Sequence, residues 1–149
     1  MALFAIGDTH LSLGASKPMD VFGGRWEGYV DKLRAGFAET VGPEDTVVLC
    51  GDLSWGMSLE EAEPDFAFLD ALPGGRKLLL KGNHDYWWTT AAKMERVFAE
   101  KGFSTLRILH NCAYRVGDVA VCGTRGWLYN SETAEDKKIV EMVCGWFME

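Results

Sequence analysis

A chain of 149 residues is long enough for one domain that buries roughly 68–70% of the surface its unfolded form exposes, so its stability need not come from disulfides or metal. Hydrophobic residues make up 48% and charged residues 25%, an ordinary globular balance with no apolar run near the roughly 18 residues of a membrane span. A net charge of −7 excludes sequence-independent binding to nucleic-acid phosphates, which needs a basic face.

The amino terminus, Met1-Ala2-Leu3-Phe4-Ala5-Ile6-Gly7-Asp8, has no basic leader and meets an acid too early for a secretory segment, which predicts a cytoplasmic protein. Ala2–Gly7 reads as a buried strand. After a glycine-rich loop, Trp26, Tyr29, Val30, Leu33, Phe37 and Val41 recur at three- and four-residue spacing, which predicts a helix of about four turns stopped by Gly42-Pro43. Thr46–Cys50 is β-branched and apolar, as a strand covered on both faces should be. Ser58 with Glu61 forms a capping box, and Pro64 predicts a break or restart in the helix it opens. The acids Glu60, Glu61, Glu63 and Asp65 are expected on a solvated face.

Lys77–Lys81, carrying Leu78-Leu79-Leu80, is a third buried strand, and Thr90 caps a helix that runs through Met94, Val97 and Phe98 and ends before Gly102. Ala113–Val116 and Val119–Gly123 flank Gly117-Asp118, a hairpin turn pair, so the sheet is expected to be mixed. From Thr133 onward, Ile139, Val140, Met142, Val143, Trp146 and Phe147 form another helical stripe. The four cysteines, Cys50, Cys112, Cys122 and Cys144, lack paired short spacing and are expected to be buried thiols. Strands alternating with helices make this an α/β layered domain, and no linker or repeat divides residues 1–149.

Chemistry-bearing residues sit where the strands stop, and in open α/β sheets such positions converge on one crevice. Asp8 and His10 are two apart, so in extended backbone both project to one side and can grip one ion. Asp52, after the next strand, supplies a carboxylate able to bridge two cations. Asn83 offers a neutral amide oxygen to the second ion. The imidazole side chain ordinarily titrates near 6.5, so a histidine that is not a ligand, as His84 would be, suits protonation of a leaving alkoxide. Asp85 is placed to orient that loop or His84.

These three motifs, Asp8-Thr9-His10, Gly51-Asp52 and Gly82-Asn83-His84-Asp85, resemble the signature of the calcineurin-like metallophosphoesterase superfamily in type and order. The resemblance covers about the first 125 residues. It implies a sandwich of two sheets flanked by helices, and hydrolysis of a phosphomonoester or phosphodiester, a small molecule or nucleotide, by a metal-bound hydroxide at a dinuclear centre. It also implies up to two divalent ions, Mn, Fe, Zn or Co, with Mn the leading choice. Carried over by residue, Asp8 and His10 are ligands of one metal, Asp52 the bridge, Asn83 a ligand of the other and His84 the catalytic histidine. Tyr86-Trp87-Trp88 and Gly123-Thr124-Arg125-Gly126-Trp127 look like a bacterial subgroup of small phosphohydrolases in that superfamily. Trp87 and Trp88 are assigned to core or rim, and Arg125 to an ion pair.

Family members add a lone histidine ligand and a Gly-His-x-His motif, and this sequence has neither. Only His110 remains among its three histidines, and it reads as a hydrogen-bonded residue rather than a ligand. The carboxy-terminal part of the family fold is therefore expected to be truncated, the Ile139–Phe147 stripe to cover an edge or make a homodimer, and metal binding to be weak. Three readings stay open: a phosphoesterase, a degenerate relative that holds one ion without turnover, and an interaction module using the terminal apolar helix.

Overall fold

The computed structural model describes residues 1–124, 133, 134, 137, 138 and 141. Four strands, β1 (Leu3–Ile6), β2 (Thr46–Leu49), β3 (Arg76–Leu79) and β4 (Leu106–Ile108), form a parallel sheet in the order β1-β2-β3-β4. Three helices make the crossovers: α1 (Tyr29–Thr40), α2 (Leu59–Ala71) and α3 (Ala91–Lys101). Because the strand order follows the chain, every crossover steps in one direction, and crossovers of one hand then put all three helices on one face. The core agrees. Phe37 of α1, Ala62, Phe66 and Leu69 of α2, and Met94 and Phe98 of α3 share a cluster with Val47, Leu49, Leu79, Leu106 and Ile108.

Val48, Leu78 and Leu109 face the other way and meet Tyr114 and Val121 of a hairpin, β5 (Cys112–Val116) and β6 (Val119–Gly123). Among the described residues parallel and antiparallel pairing thus both occur, in two separate sheets rather than mixed within one. The Gly117-Asp118 turn and the two hairpin strands fall where the sequence predicts, and β2 is buried along its whole length.

Several expectations change. α1 starts at Tyr29, not at Trp26, because Gly28 takes a left-handed conformation with φ 62° and turns the chain. Trp26 is thereby released toward the sheet's carboxyl end. Ser58 caps α2 by accepting from the Glu61 N–H, and the Glu61 carboxylate reaches back to the Met57 N–H. Pro64 does not break this helix. Pro64 lies on the exposed side of the helix, and burial of Ala62, Phe66 and Leu69 holds the turns together. Asp65 is not on a solvated face: it is fully buried, and its carboxylate accepts from the Ser54 hydroxyl and the Leu13 N–H. Thr90 and the left-handed Gly102 bound α3 as predicted.

The cysteines are also corrected. Cys50, Cys112 and Cys122 are free and exposed. Cys50 lies just past the end of β2, and Cys122 shares the outward face of the hairpin with Ala113, Arg115 and Ala120. Cys144, Arg125, Trp127 and the stripe from Ile139 to Phe147, with the homodimer inferred from it, lie outside the described residues. Among the described residues no helix is long and apolar enough to cross a membrane.

Lys77 of β3 is fully buried, and its ammonium donates to the carbonyls of Asp70, Leu72 and Gly74 and to the Thr105 hydroxyl. Burial pushes it from 10.5 down to about 8, with Asp70 offsetting part of the fall. As pH rises through 8 the folded protein loses this proton while the unfolded chain keeps it to about 10.5, so the stability contributed at this position increases over that window. Urea titrations from pH 7.5 to 10.5 should show the wild type gaining stability relative to Lys77→Met. A constant difference would refute the shift.

Candidate metal centre

Parallel pairing continues beyond the strands and carries two loops together. The Asp8 N–H donates to Gly51 O (3.0 Å), His10 N–H to Asp52 O (2.9 Å), Leu11 N–H to Leu53 O (2.9 Å), and Trp55 N–H to Leu11 O (2.8 Å). Within this ladder Asp8, His10 and Asp52 have φ of 54°, 43° and 52°. The extended backbone expected for Asp8 and His10 is therefore not what aims them. Left-handed backbone does so, at a cost on the order of 1 kcal/mol or more per residue, in a region that aspartate and histidine tolerate better than most residues. Among the described residues only one other non-glycine, Asn111, has positive φ.

The third loop nests against the second. A Cβ on Gly82 would lie 2.1 Å from Asp52 Oδ1 and 2.2 Å from the Asp52 nitrogen, and a Cβ on Gly51 would lie 2.5 Å from the Gly82 nitrogen. Only glycine permits this approach. Asp85 then ties the loops: Oδ2 accepts from the N–H of Asp52 (2.8 Å) and Gly82 (2.7 Å), and Oδ1 from the N–H of Leu53 (2.8 Å) and Ser54 (3.4 Å) and from the Trp87 indole (3.0 Å). Its carboxylate grips the Asp52 loop as firmly as its own.

On that scaffold three side chains converge. Asp52 Oδ1 accepts the His84 N–H (2.9 Å), and Oδ2 lies 2.8 Å from His84 Nδ1 and 3.8 Å from His10 Nε2. Burial pushes the Asp52 carboxyl up, but the hydrogen bonds from His84 and the charges of both histidines bring it net below the usual carboxylate range. One ligand atom from each of His10, Asp52 and His84 lies within 4.8 Å of the others, a group that could hold a metal ion. Among the described residues His10 Nδ1 is buried with no hydrogen-bond partner, and an unsatisfied buried polar atom of this kind calls for a functional explanation. Two imidazoles beside a carboxylate suit a divalent transition ion.

The remaining candidates stand around this group. Asp8 is largely exposed, with Oδ1 3.6 Å from His10 Nε2, so both carboxylates lie within 3.8 Å of that nitrogen. Asn83 is exposed, and its Nδ2 lies 3.1 Å from His84 Nδ1. His110 packs against Trp88 and is not one of the three converging side chains. Trp87 is buried and Trp88 half-buried, as core and rim residues. Two residues outside the three motifs brace His10: the Tyr29 hydroxyl donates to the His10 carbonyl (3.1 Å), and the Trp55 ring stacks on the His10 ring. The one signal for Trp55 is its position three residues after Asp52.

The family model described as calcineurin-like phosphoesterase matches residues 1–142. The chain belongs to that family. Calcineurin-like phosphoesterase membership makes this a phosphoesterase-type domain, and the convergent His-Asp-His group accords with the divalent metals the family implies. Among solved structures, a protein of unknown function from Aquifex aeolicus is 19% identical with a TM-score of 0.57, over 96% of this chain and 72% of that one. A phosphopantetheinyl hydrolase from Mycobacterium tuberculosis is 14% identical with a TM-score of 0.45, over 96% of this chain and 50% of that one. The first likeness shows the fold alone. No curated protein gives a match.

Proposed function

We propose that the protein is a metal-dependent phosphoesterase that hydrolyses a phosphomonoester or phosphodiester of a small molecule or nucleotide. The observation that carries this reading is the convergence of His10, Asp52 and His84 on one point in a calcineurin-like phosphoesterase domain. Asp8, His10 and Asp52 would hold one cation, and Asp52 with Asn83 a second, with Mn, Fe, Zn or Co all suited to these donors. Divalent ions bound there supply Lewis acidity for the phosphoryl oxygen and for water.

The chain's own residues do the rest. Asp52 presents Oδ2 to both imidazoles while His84 N–H holds Oδ1, so the carboxylate is fixed in one orientation. The short contact from Asp52 Oδ2 to His84 Nδ1 pins the His84 ring, and Nε2, 3.4 Å from the Asn83 amide nitrogen, would hand a proton to the leaving alkoxide oxygen. Beside Asp8 and Thr9 a cavity of about 650 Å³, walled by Phe4, Ile6, Leu33 and Phe37, gives room for the organic part of a substrate. Arg25 and Lys32 at the same cavity supply positive charge.

A second reading is favoured by one detail: the Asn83 amide lies against His84. In that reading a single ion sits among His10, Asp52 and His84 without turnover. Metal analysis beside an assay with nitrophenyl phosphomonoesters and phosphodiesters separates the two. Mn-stimulated turnover, with about two ions per chain, is the expected result. One ion per chain and no metal-dependent rate would replace the first reading with the second.

A further inference from the structure

His10 lacks something that metal-binding histidines ordinarily have. Such a ring almost always donates its far N–H to a carboxylate or carbonyl, which sets its orientation. Here, among the described residues, the buried Nδ1 has no hydrogen-bond partner, and Nε2 is the atom that faces Asp8 and Asp52. An aromatic surface takes the place of that hydrogen bond. The Trp55 ring lies 4.8 Å from the His10 ring at an interplanar angle of 18°, a parallel stack, and 5.1 Å from the His84 ring at 53°. The two imidazoles are themselves 5.9 Å apart, so the three rings form a closed triangle beside Asp52.

Trp55 is held in turn by the first loop. The Lys17 ammonium sits 3.9 Å from the centre of its ring, and its indole N–H points to Met19 Sδ at 3.3 Å. Its backbone is pinned by donation to the Leu11 carbonyl. A ring fixed on this many sides is a rigid stop for the imidazole stacked on it.

We propose that Trp55 is a positioning residue that sets the orientation of the His10 ring, and with it the spacing of the His10 and His84 nitrogens around Asp52. The role rests on the reading of this group as a cation site, and its test has one arm that needs no metal. Mn²⁺ is titrated calorimetrically into the full chain after chelator treatment, for the wild type, Trp55→Phe and Trp55→Leu. Imidazole resonances are recorded on the same three proteins in chelator. Trp55→Leu should bind Mn²⁺ about tenfold or more weakly, as loss of an outer orienting group does, while Trp55→Phe stays within about threefold. The His10 ring signals should carry the upfield shift of a stacked ring in the wild type and Trp55→Phe and lose it in Trp55→Leu, with the amides bound to Asp85 unmoved. Unchanged His10 signals and unchanged Mn²⁺ affinity in Trp55→Leu would overturn the proposal. A wild type that binds no Mn²⁺ would overturn the phosphoesterase reading, and the His10 signals would then decide the role of Trp55 alone.

Discussion

Asp85→Ala is expected to cost the fold about 3–5 kcal/mol, measured by urea unfolding in chelator. The side chain is 1% exposed, and its removal strands four backbone N–H groups, those of Asp52, Leu53, Ser54 and Gly82, together with the Trp87 indole. No other carboxylate makes five such contacts among the described residues. Asp85→Asn, which keeps one oxygen but turns an amide NH2 toward donors, should fall between the two. A loss below about 1 kcal/mol in Asp85→Ala would mean that water or a shifted loop satisfies these groups.

Asp52→Asn is expected to lower Mn-stimulated phosphoester turnover by two to four orders of magnitude, since Lewis-acid stabilisation is worth several kcal/mol and each 1.36 kcal/mol is a factor of about ten. The loss should appear in binding as well. Saturating Mn should raise the wild-type unfolding free energy by about 2.7 kcal/mol at a hundredfold excess over the dissociation constant, and that increment should vanish in Asp52→Asn. The acid limb carries a further signature. Because the folded Asp52 carboxyl lies below its ordinary value, its stabilisation is present above that value and is lost as pH falls below about 4. In chelator, Asp52→Asn should lack this part of the acid destabilisation. Undiminished Mn-dependent turnover in Asp52→Asn would remove the carboxylate from the proposal.

Much of this arrangement is legible in the chain because it rests on local rules. Apolar strands that end in Gly-Asp and Gly-Asn-His-Asp mark the crevice, and Ser58, Thr90, Gly102 and the Gly117-Asp118 turn mark element boundaries through backbone chemistry that their own side chains supply. What is not legible depends on partners distant in sequence. Asp65 looks like its neighbours Glu60, Glu61 and Glu63, and only Ser54 and Leu13, brought from other loops, make its burial possible. β4 is three residues long with Arg107 turned outward, too short for a periodic signal. The left-handed backbone of Asp8, His10 and Asp52 has no sequence marker, because it is imposed by the ladder between two loops. Trp55 stands in none of the three motifs, and only its stack on His10 marks it.

The hold of Asp85 on both neighbouring loops has a thermodynamic consequence for the cation. Ordering a flexible ligand loop at the moment of binding subtracts conformational entropy from affinity, about 1–2 kcal/mol per residue fixed. In this protein the segments bearing Asp52 and His84 are locked to each other when the chain folds, through a carboxylate engaged by backbone N–H groups of both loops. Preorganisation of this kind lets a cation site retain affinity that a looser rim would forfeit.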